Sequence, residues 1–252
     1  MTAPRDREKT RAEIWACCRK LMLSADRMVE LCESSATPRQ EEFLHRALSE
    51  ELARREAGRR SRLISRAAFP APKSLETFEY GHVRFPPGFS RTDLESCDFI
   101  GERKNLVFYG PVGTGKTHLA IALGTRACEA GMRVRFFTVT ELVLRMAEAR
   151  KAGTLERLVK DLKSQDLICL DEWGYVPVDK EGSQLLFRII SSSYESKSLI
   201  LTTNIEFSKW GGIFTDEQMA AAMIDRLVHH GHLLIFEGPS YRMTHALMAQ
   251  KG

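Results

Sequence analysis

No apolar run in this chain approaches the roughly 18 residues that a membrane-crossing helix needs. The opening stretch, MTAPRDREKTRAEIW, is charged and lacks the apolar centre of a secretion signal, so a cytoplasmic location is expected. The six cysteines (Cys17, Cys18, Cys32, Cys97, Cys128 and Cys169) form no CxxC pair, and no histidine joins them at zinc-finger spacing. They read as reduced thiols, mostly small core residues. Internal repeats and low-complexity tracts are also missing. These absences exclude a membrane span, a disulfide-stapled secreted scaffold and a zinc finger. What remains is a soluble chain of 252 residues, enough for one α/β domain and a smaller helical piece.

The net charge of +4 says little, but its distribution says more. From Arg46 to Arg66 the stretch RALSEELARREAGRRSRLISR holds seven arginines and three glutamates, with no lysine or aspartate. A clustered basic stripe is the footprint expected of nucleic-acid contact, and Arg54, Arg55, Arg59, Arg60, Arg62 and Arg66 are the candidate DNA-binding residues. The plainer alternative is a solvated helix face with pairs such as Glu51–Arg55. Two helical patterns occupy this part of the chain. Ile14, Cys18, Leu21, Met22, Met28, Val29 and Cys32 form one, ended by SSATPRQ (34–40). Phe43, Leu44, Ala47, Leu48 and Leu52 form a second, which dissolves into arginines around Gly58. FPAPKSLETFEY (69–80) reads as an extended linker. The boundary is expected near Ala67, dividing a helical domain, 1–67, from an α/β domain, 68–252.

Beyond Glu102 four short apolar runs alternate with helical patterns: NLVFY (105–109), RVRFFTV (133–139), LICL (167–170) and LILT (199–202). A fifth, LLIF (233–236), lies near the end. Continuous apolarity means strands buried on both faces, hence a parallel sheet between helices. Such sheets bind ligands at the carboxyl ends of their strands.

The first run leads into GPVGTGKTH. Gly110, Pro111, Val112, Gly113, Thr114, Gly115, Lys116 and Thr117 match G-x-x-x-x-G-K-[ST] in full, with a strand before and a helix after. Glycines let the backbone curl its N–H groups toward phosphate oxygens. Lys116 would neutralise the β- and γ-phosphates, and the Thr117 hydroxyl would ligate Mg²⁺. The next helix, closed by Gly131, turns its positive end toward the anion. The third run ends in Asp171 and Glu172, two carboxylates at a buried strand tip. Asp171 would hold Mg²⁺ through water and Glu172 would act as general base. Asn204, at the end of LTTN, would lie at the neighbouring tip and orient the water or sense the γ-phosphate.

Together, GPVGTGKTH, LDEWGYVP, LTTN and the closing DRL…GPSYR resemble the AAA+ ATPases of the DnaC/IstB group. The IstB-like members, helper ATPases of insertion-sequence transposons, match best. The stretches EEFLHRALSEELARRE…RAAFPAPKSLETFEY and DEWGYVPVDKEGSQLLFRIISSSYESKSLILTTN carry that preference, and the resemblance runs from about Gln40 to Gln250. It implies an AAA+ P-loop NTPase core with ATP and Mg²⁺ as cofactors and Asn204 at the sensor-1 position. Arg226, in IDRL, matches the arginine finger that reaches a neighbouring subunit's ATP. Arg242, in GPSYR, matches sensor 2, and His118 fits the GKTH of the family. The implied partners are double-stranded DNA, a cognate transposase and further copies of the chain in a ring or spiral. Phe69 and Phe78 are expected to frame the adenine. With few residues after Arg242, no separate lid is expected.

His229, His230 and His232 are expected to bind no metal. His229 and His230 close a helix whose apolar face would be Ala221, Ile224, Leu227 and Val228, with Gly231 as its stop. Adjacent residues point about 100° apart, and no carboxylate or cysteine stands at ligand spacing. The expected function is a DNA-dependent AAA+ ATPase that oligomerises on duplex DNA and recruits or activates a transposase. The alternatives are a DnaC-like helicase loader, a P-loop kinase and a scaffold for which ATP is only a switch.

Overall fold

The computed structural model describes residues 4–175, 179–214 and 216–244, so Val176 and Pro177 of LDEWGYVP and everything after Thr244 lie outside the described residues. The chain divides into two compact units, 1–62 and 63–252.

The first unit is helical: α1 (Pro4–Leu21), α2 (Ala25–Ser35) and α3 (Pro38–Ala67). The single helix expected across Ile14–Cys32 is two, because Met22 takes a left-handed φ of 61° and ends α1. Met22 consequently points away from the core, 93% exposed. Ile14, Cys18, Leu21, Ala25, Cys32 and Leu48 are buried together. On α3 the working stripe is Leu44, Leu48 and Leu52, whereas Phe43 and Ala47 are exposed. A charge reinforces this small core. The buried Glu41 carboxylate accepts from Arg7 at 2.8 and 3.2 Å and from Arg11 at 3.0 Å, which holds its pKa below the ordinary range. α3 does not stop at Gly58, although glycine inside a helix costs about 1 kcal/mol relative to alanine. It runs on to Ala67, so the division at Arg62 falls inside it.

The second unit is an α/β core built on a six-stranded sheet. Its strands are β1 (Val83–Arg84), β2 (Asn105–Tyr109), β3 (Val134–Thr138), β4 (Leu167–Trp173), β5 (Ser198–Thr203) and β6 (Gly231–Phe236), in spatial order β1-β6-β2-β5-β4-β3. Every neighbouring pair is parallel except β1 with β6. The helices are α4 (Arg91–Ser96), α5 (Asp98–Gly101), α6 (Lys116–Glu129), α7 (Val139–Lys151), α8 (Leu155–Lys163), α9 (Lys180–Ser193), α10 (Trp210–Phe214), α11 (Glu217–His229) and α12 (Tyr241–Thr244). Side-chain caps from Thr138, Asp179 and Asp216 start α7, α9 and α11.

Two cores explain the apolar runs. Leu106, Phe108, Leu167, Cys169 and Ile200 face α4, α5 and α6, while Val107, Ile168, Leu170, Leu199 and Leu201 face α7 to α11. Alternate residues thus go to opposite layers, and every position must be apolar. On α11 the buried residues are Ala220, Met223 and Leu227; Ala221 and Val228 are exposed, and Ile224 is only partly buried. Gly231 opens β6 as well as following α11. No described helix is long and apolar enough to cross a membrane.

One irregularity interrupts the ladder between β4 and β5. Leu170 pairs with Leu201, but the next pair is Trp173 with Thr203. Two residues of β4, Asp171 and Glu172, therefore stand against one of β5, Thr202, which makes a β-bulge.

Candidate nucleotide-binding site

β2, β4 and β5 deliver their carboxyl ends to one side of the sheet, beside the N-terminus of α6. A cleft of about 770 Å³ opens there. Residues 112–115 of the glycine loop line its floor. Gly113 (φ 82°) and Gly115 (φ 95°) occupy the left-handed region, and each lacks room for a side chain. A Cβ on Gly113 would strike the Ser240 hydroxyl, and one on Gly115 would sit 2.9 Å from the Phe78 ring. Glycine at both positions lets the loop pass close against Ser240 and Phe78.

Lys116 and Thr117 begin α6. The Lys116 ammonium donates to the Gly110 carbonyl at 2.7 Å and to that of Pro111 at 2.5 Å. Burial pushes its pKa down to about 8; Arg242 acts in the same direction and Asp171 against it. The Thr117 hydroxyl donates to Asp171, 2.9 and 3.1 Å from its two oxygens. Asp171 is buried behind the cleft wall, whereas Glu172 is exposed and lines it. Glu172 has φ 60°, which side-chain-bearing residues seldom adopt. Asn204 lines the same cleft, and its Oδ1 is buried with no hydrogen-bond partner among the described residues. A buried amide oxygen without a partner is a costly arrangement that a bound group can relieve.

Across the opening, the Tyr241 N–H donates to the Gly113 carbonyl at 3.0 Å, tying α12 to the loop and setting Arg242 in the cleft lining. His118 also lines it, with Nε2 2.9 Å from the Ser74 carbonyl oxygen and its ring 5.4 Å from that of Phe78. The segment read as a linker is therefore a wall, contributing Lys73, Thr77, Phe78 and Glu79. Phe69 does not share it. Its ring packs on Gly124 and Phe136 under α6, away from any position beside an adenine. Lys73, Glu79, His82 and Thr202 are lining residues that the sequence pattern did not single out.

Arg226 does not line this cleft. It donates to the Ala222 carbonyl at 2.8 Å and lies 5.1 Å from the Phe187 ring centre. The candidate DNA arginines lie on α3. Arg54 and Arg55 pair with Glu51 at 3.0 and 2.8 Å, and Arg60 reaches Glu56 at 4.0 Å. Arg59, Arg62 and Arg66 make no ion pair among the described residues. At about 100° per residue, Arg55, Arg59, Arg62 and Arg66 fall within about 60° of one another on the helix. The three histidines have other company: His229 meets the Tyr194 hydroxyl at 2.9 Å, His230 meets Glu195 at 3.0 Å, and His232 stacks on Phe89 at 4.0 Å. No cluster of three potential metal ligands occurs among the described residues. Thr117 and Asp171 nonetheless offer the hard oxygens that suit Mg²⁺, which commonly takes only one or two protein ligands and keeps its waters.

A glycine loop between a buried strand and a helix, with a lysine and a threonine at its end, is suited by its chemistry to nucleotide phosphates. The family profile described as "IstB-like ATP binding protein" matches residues 19–249. The chain belongs to that family. It is 40% identical over 206 residues to the "Insertion sequence IS21 putative ATP-binding protein" of Pseudomonas aeruginosa, covering 80% of this chain and 76% of the relative. It is 34% identical over 230 residues to the "Insertion sequence IS5376 putative ATP-binding protein" of Geobacillus stearothermophilus, covering 90% and 92%. Among solved structures, AMPPCP-bound DnaA from Aquifex aeolicus shares the fold, with TM-score 0.56 and 24% identity over 70% of this chain and 54% of that one. The IstB-like sequence thus carries its glycine loop, Lys116 and Thr117 at the carboxyl ends of the sheet strands.

Proposed function

We propose that the chain is an ATPase that assembles on double-stranded DNA and recruits or activates a transposase at target DNA, acting in the cytoplasm. The observation that carries this reading is the cleft. Lys116, Thr117, Glu172, Asn204 and Arg242 converge on it and Asp171 backs it, while Arg226 of the same chain stays outside. Lys116 and Arg242 already face the γ-phosphoryl group in this reading, and Arg226 can add a further cation for its developing charge only from a second copy. The insertion-sequence names of the relatives point to transposition.

In this reading the loop N–H groups and Lys116 hold the β- and γ-phosphates, and Arg242 contacts the γ-phosphate of its own subunit. Thr117 and Asp171 are the residues that would hold Mg²⁺, which when bound would supply charge neutralisation at the phosphates. Glu172 takes a proton from water as the water oxygen bonds to the γ-phosphorus. The bond from that phosphorus to the bridging oxygen breaks, and ADP leaves with the electron pair. Asn204 orients the water, and Arg226 from the neighbouring copy stabilises the transition state. Residues 1–67, with the arginines of α3, contact DNA or the transposase.

The test is particle mass by light scattering with ATP and Mg²⁺, with long duplex DNA or a single strand added in parallel. A large assembly that needs ATP and forms on duplex is expected. A complex confined to single strands, or formed only with a replicative helicase, would turn the assignment to a helicase loader. A monomer under every condition would remove the role given to Arg226.

A further inference from the structure

In a regular strand Asp171 and Glu172, being adjacent, would point to opposite faces of the sheet. They serve one site because β4 bulges at this point and Glu172 turns into a left-handed backbone conformation. The bulge takes the Glu172 N–H out of the normal ladder. That N–H donates instead to the Thr202 side-chain oxygen at 3.1 Å, and the same hydroxyl donates its proton to Asp171 Oδ1. A hydroxyl has one proton to give and two lone pairs to receive, so both bonds form together. Thr202 is only 3% exposed, and its β-branched side chain has little rotational freedom on a strand.

We infer that Thr202 is a positioning residue for ATP hydrolysis. Its hydroxyl bridges the bulge and fixes the metal-side carboxylate and the general base relative to each other. The inference rests on the ATPase reading above. It assigns to the strand before Asn204 a task separate from that of Asn204 itself. The next rung down makes the contrast clear. There the Thr203 hydroxyl donates to the Trp173 backbone carbonyl at 2.8 Å and touches neither carboxylate. Thr203 ties the strand end, while Thr202 orients the two groups that work on the water.

The test compares Thr202→Val and Thr202→Ala, which lack the hydroxyl, with Thr202→Ser, which keeps it, all in the full chain with saturating duplex DNA. A misplaced base is expected to lower kcat about 10- to 100-fold in Val and Ala, with KM and the Kd of a non-hydrolysable ATP analogue within about threefold of wild type. Serine should restore most of the rate. Adding Thr202→Val to Glu172→Gln should lower kcat by no more than about twofold further, since groups that act as one unit are not additive. Val and Ala turning over at the wild-type rate would overturn the proposal, as would Ser failing alongside them. Analogue binding that falls in step with kcat, or loss of folding in both hydroxyl-free variants, would make the role structural and overturn it too. A wild-type chain that does not hydrolyse ATP would remove the ATPase reading itself. A Glu172→Gln block beside an unaffected Thr202→Val would remove this inference alone.

Discussion

Glu172 and Arg59 are both exposed charges, yet the protein treats them differently. Glu172 stands on a strand tip with a left-handed backbone, inside a bulge, tied through its N–H to a buried threonine. Arg59 stands on a continuous helix and makes no ion pair among the described residues. The first position is over-determined by its neighbours, and such strain persists only where packing enforces it. The second is set by the helix alone, and its side chain is free to seek a partner. The lesson concerns how each kind of site fails. Changes in the cleft should act through geometry and be steep. Changes on α3 should act through charge, be graded and depend on salt.

The largest effect is expected at Lys116. Lys116→Ala removes the ammonium from the phosphate loop and should weaken binding of a non-hydrolysable ATP analogue by about 100-fold or more, as losing one partner of a desolvated charge contact does. The thermal midpoint should hardly fall, because burial already disfavours that charge in the folded chain. Calorimetric titration and a melting curve on the same sample check both. A large drop in stability would break the comparison, by making the lysine a structural rather than a binding group.

Arg226 tests whether the cleft is complete within one chain. Arg226→Ala should lower kcat by roughly 10²-fold or more, as loss of an arginine finger does, with analogue binding retained. Mixing it one-to-one with Glu172→Gln sharpens the point. Where an Arg226→Ala subunit keeps its own Glu172 and its neighbour offers an intact Arg226, the site is whole, so about a quarter of sites should recover in a random closed assembly. No recovery on mixing would place the role of Arg226 within its own chain, near Phe187.

The arginine helix should respond more gently. Arg59→Glu with Arg60→Glu should weaken duplex binding about tenfold or more and flatten the plot of log affinity against log salt by about two units, reflecting two lost phosphate contacts. Within the stripe, Arg59→Ala should cost more than Arg54→Ala, because Arg54 is already held by Glu51. Equal effects would mean that the ion pair opens on binding. An unchanged affinity and slope would leave the stripe as a solvated face.

The two regions also differed in how far the sequence disclosed them. The strands were legible because burial on both faces leaves only apolar residues, and NLVFY coincides with β2 residue for residue. β1 was not, since two residues cannot show a period. The break between α1 and α2 was hidden because Met22 turns the chain with neither glycine nor proline near it. The glycine loop, Asp171 and Glu172 announced themselves by residue type, while Arg226 and Arg242 stood out only through resemblance, an arginine on a helix being otherwise unremarkable. The wall 73–79 passed for a linker because its role comes from packing against α6, as the His118–Ser74 contact shows. Thr202 was invisible for a related reason. A threonine suits any strand, and only the bulge opposite gives its hydroxyl two partners.

The smallest effect comes from pH, and it separates the two regions without a mutation. Lys116 titrates near 8 in the nucleotide-free chain, because burial outweighs the pull of Asp171. Below that pH the ammonium is charged before ATP arrives. Above it the lysine is increasingly neutral, and the bound phosphates, which favour the charged form, must draw a proton back from solvent. ATP-analogue affinity should therefore be flat up to about pH 8 and then fall, by at most about tenfold per pH unit. The phosphates contribute nothing to this slope, since their last ionisation lies near pH 6. Phosphate contacts made by guanidinium groups carry no such slope, because a guanidinium does not deprotonate in this range. Duplex affinity measured without nucleotide should stay level from pH 7 to 9.5 while analogue affinity declines. Calorimetry in two buffers of different ionisation enthalpy should register proton uptake for the analogue and none for DNA. A level analogue curve with no uptake would mean that the lysine is charged throughout, and that its bonds to the Gly110 and Pro111 carbonyls offset its burial.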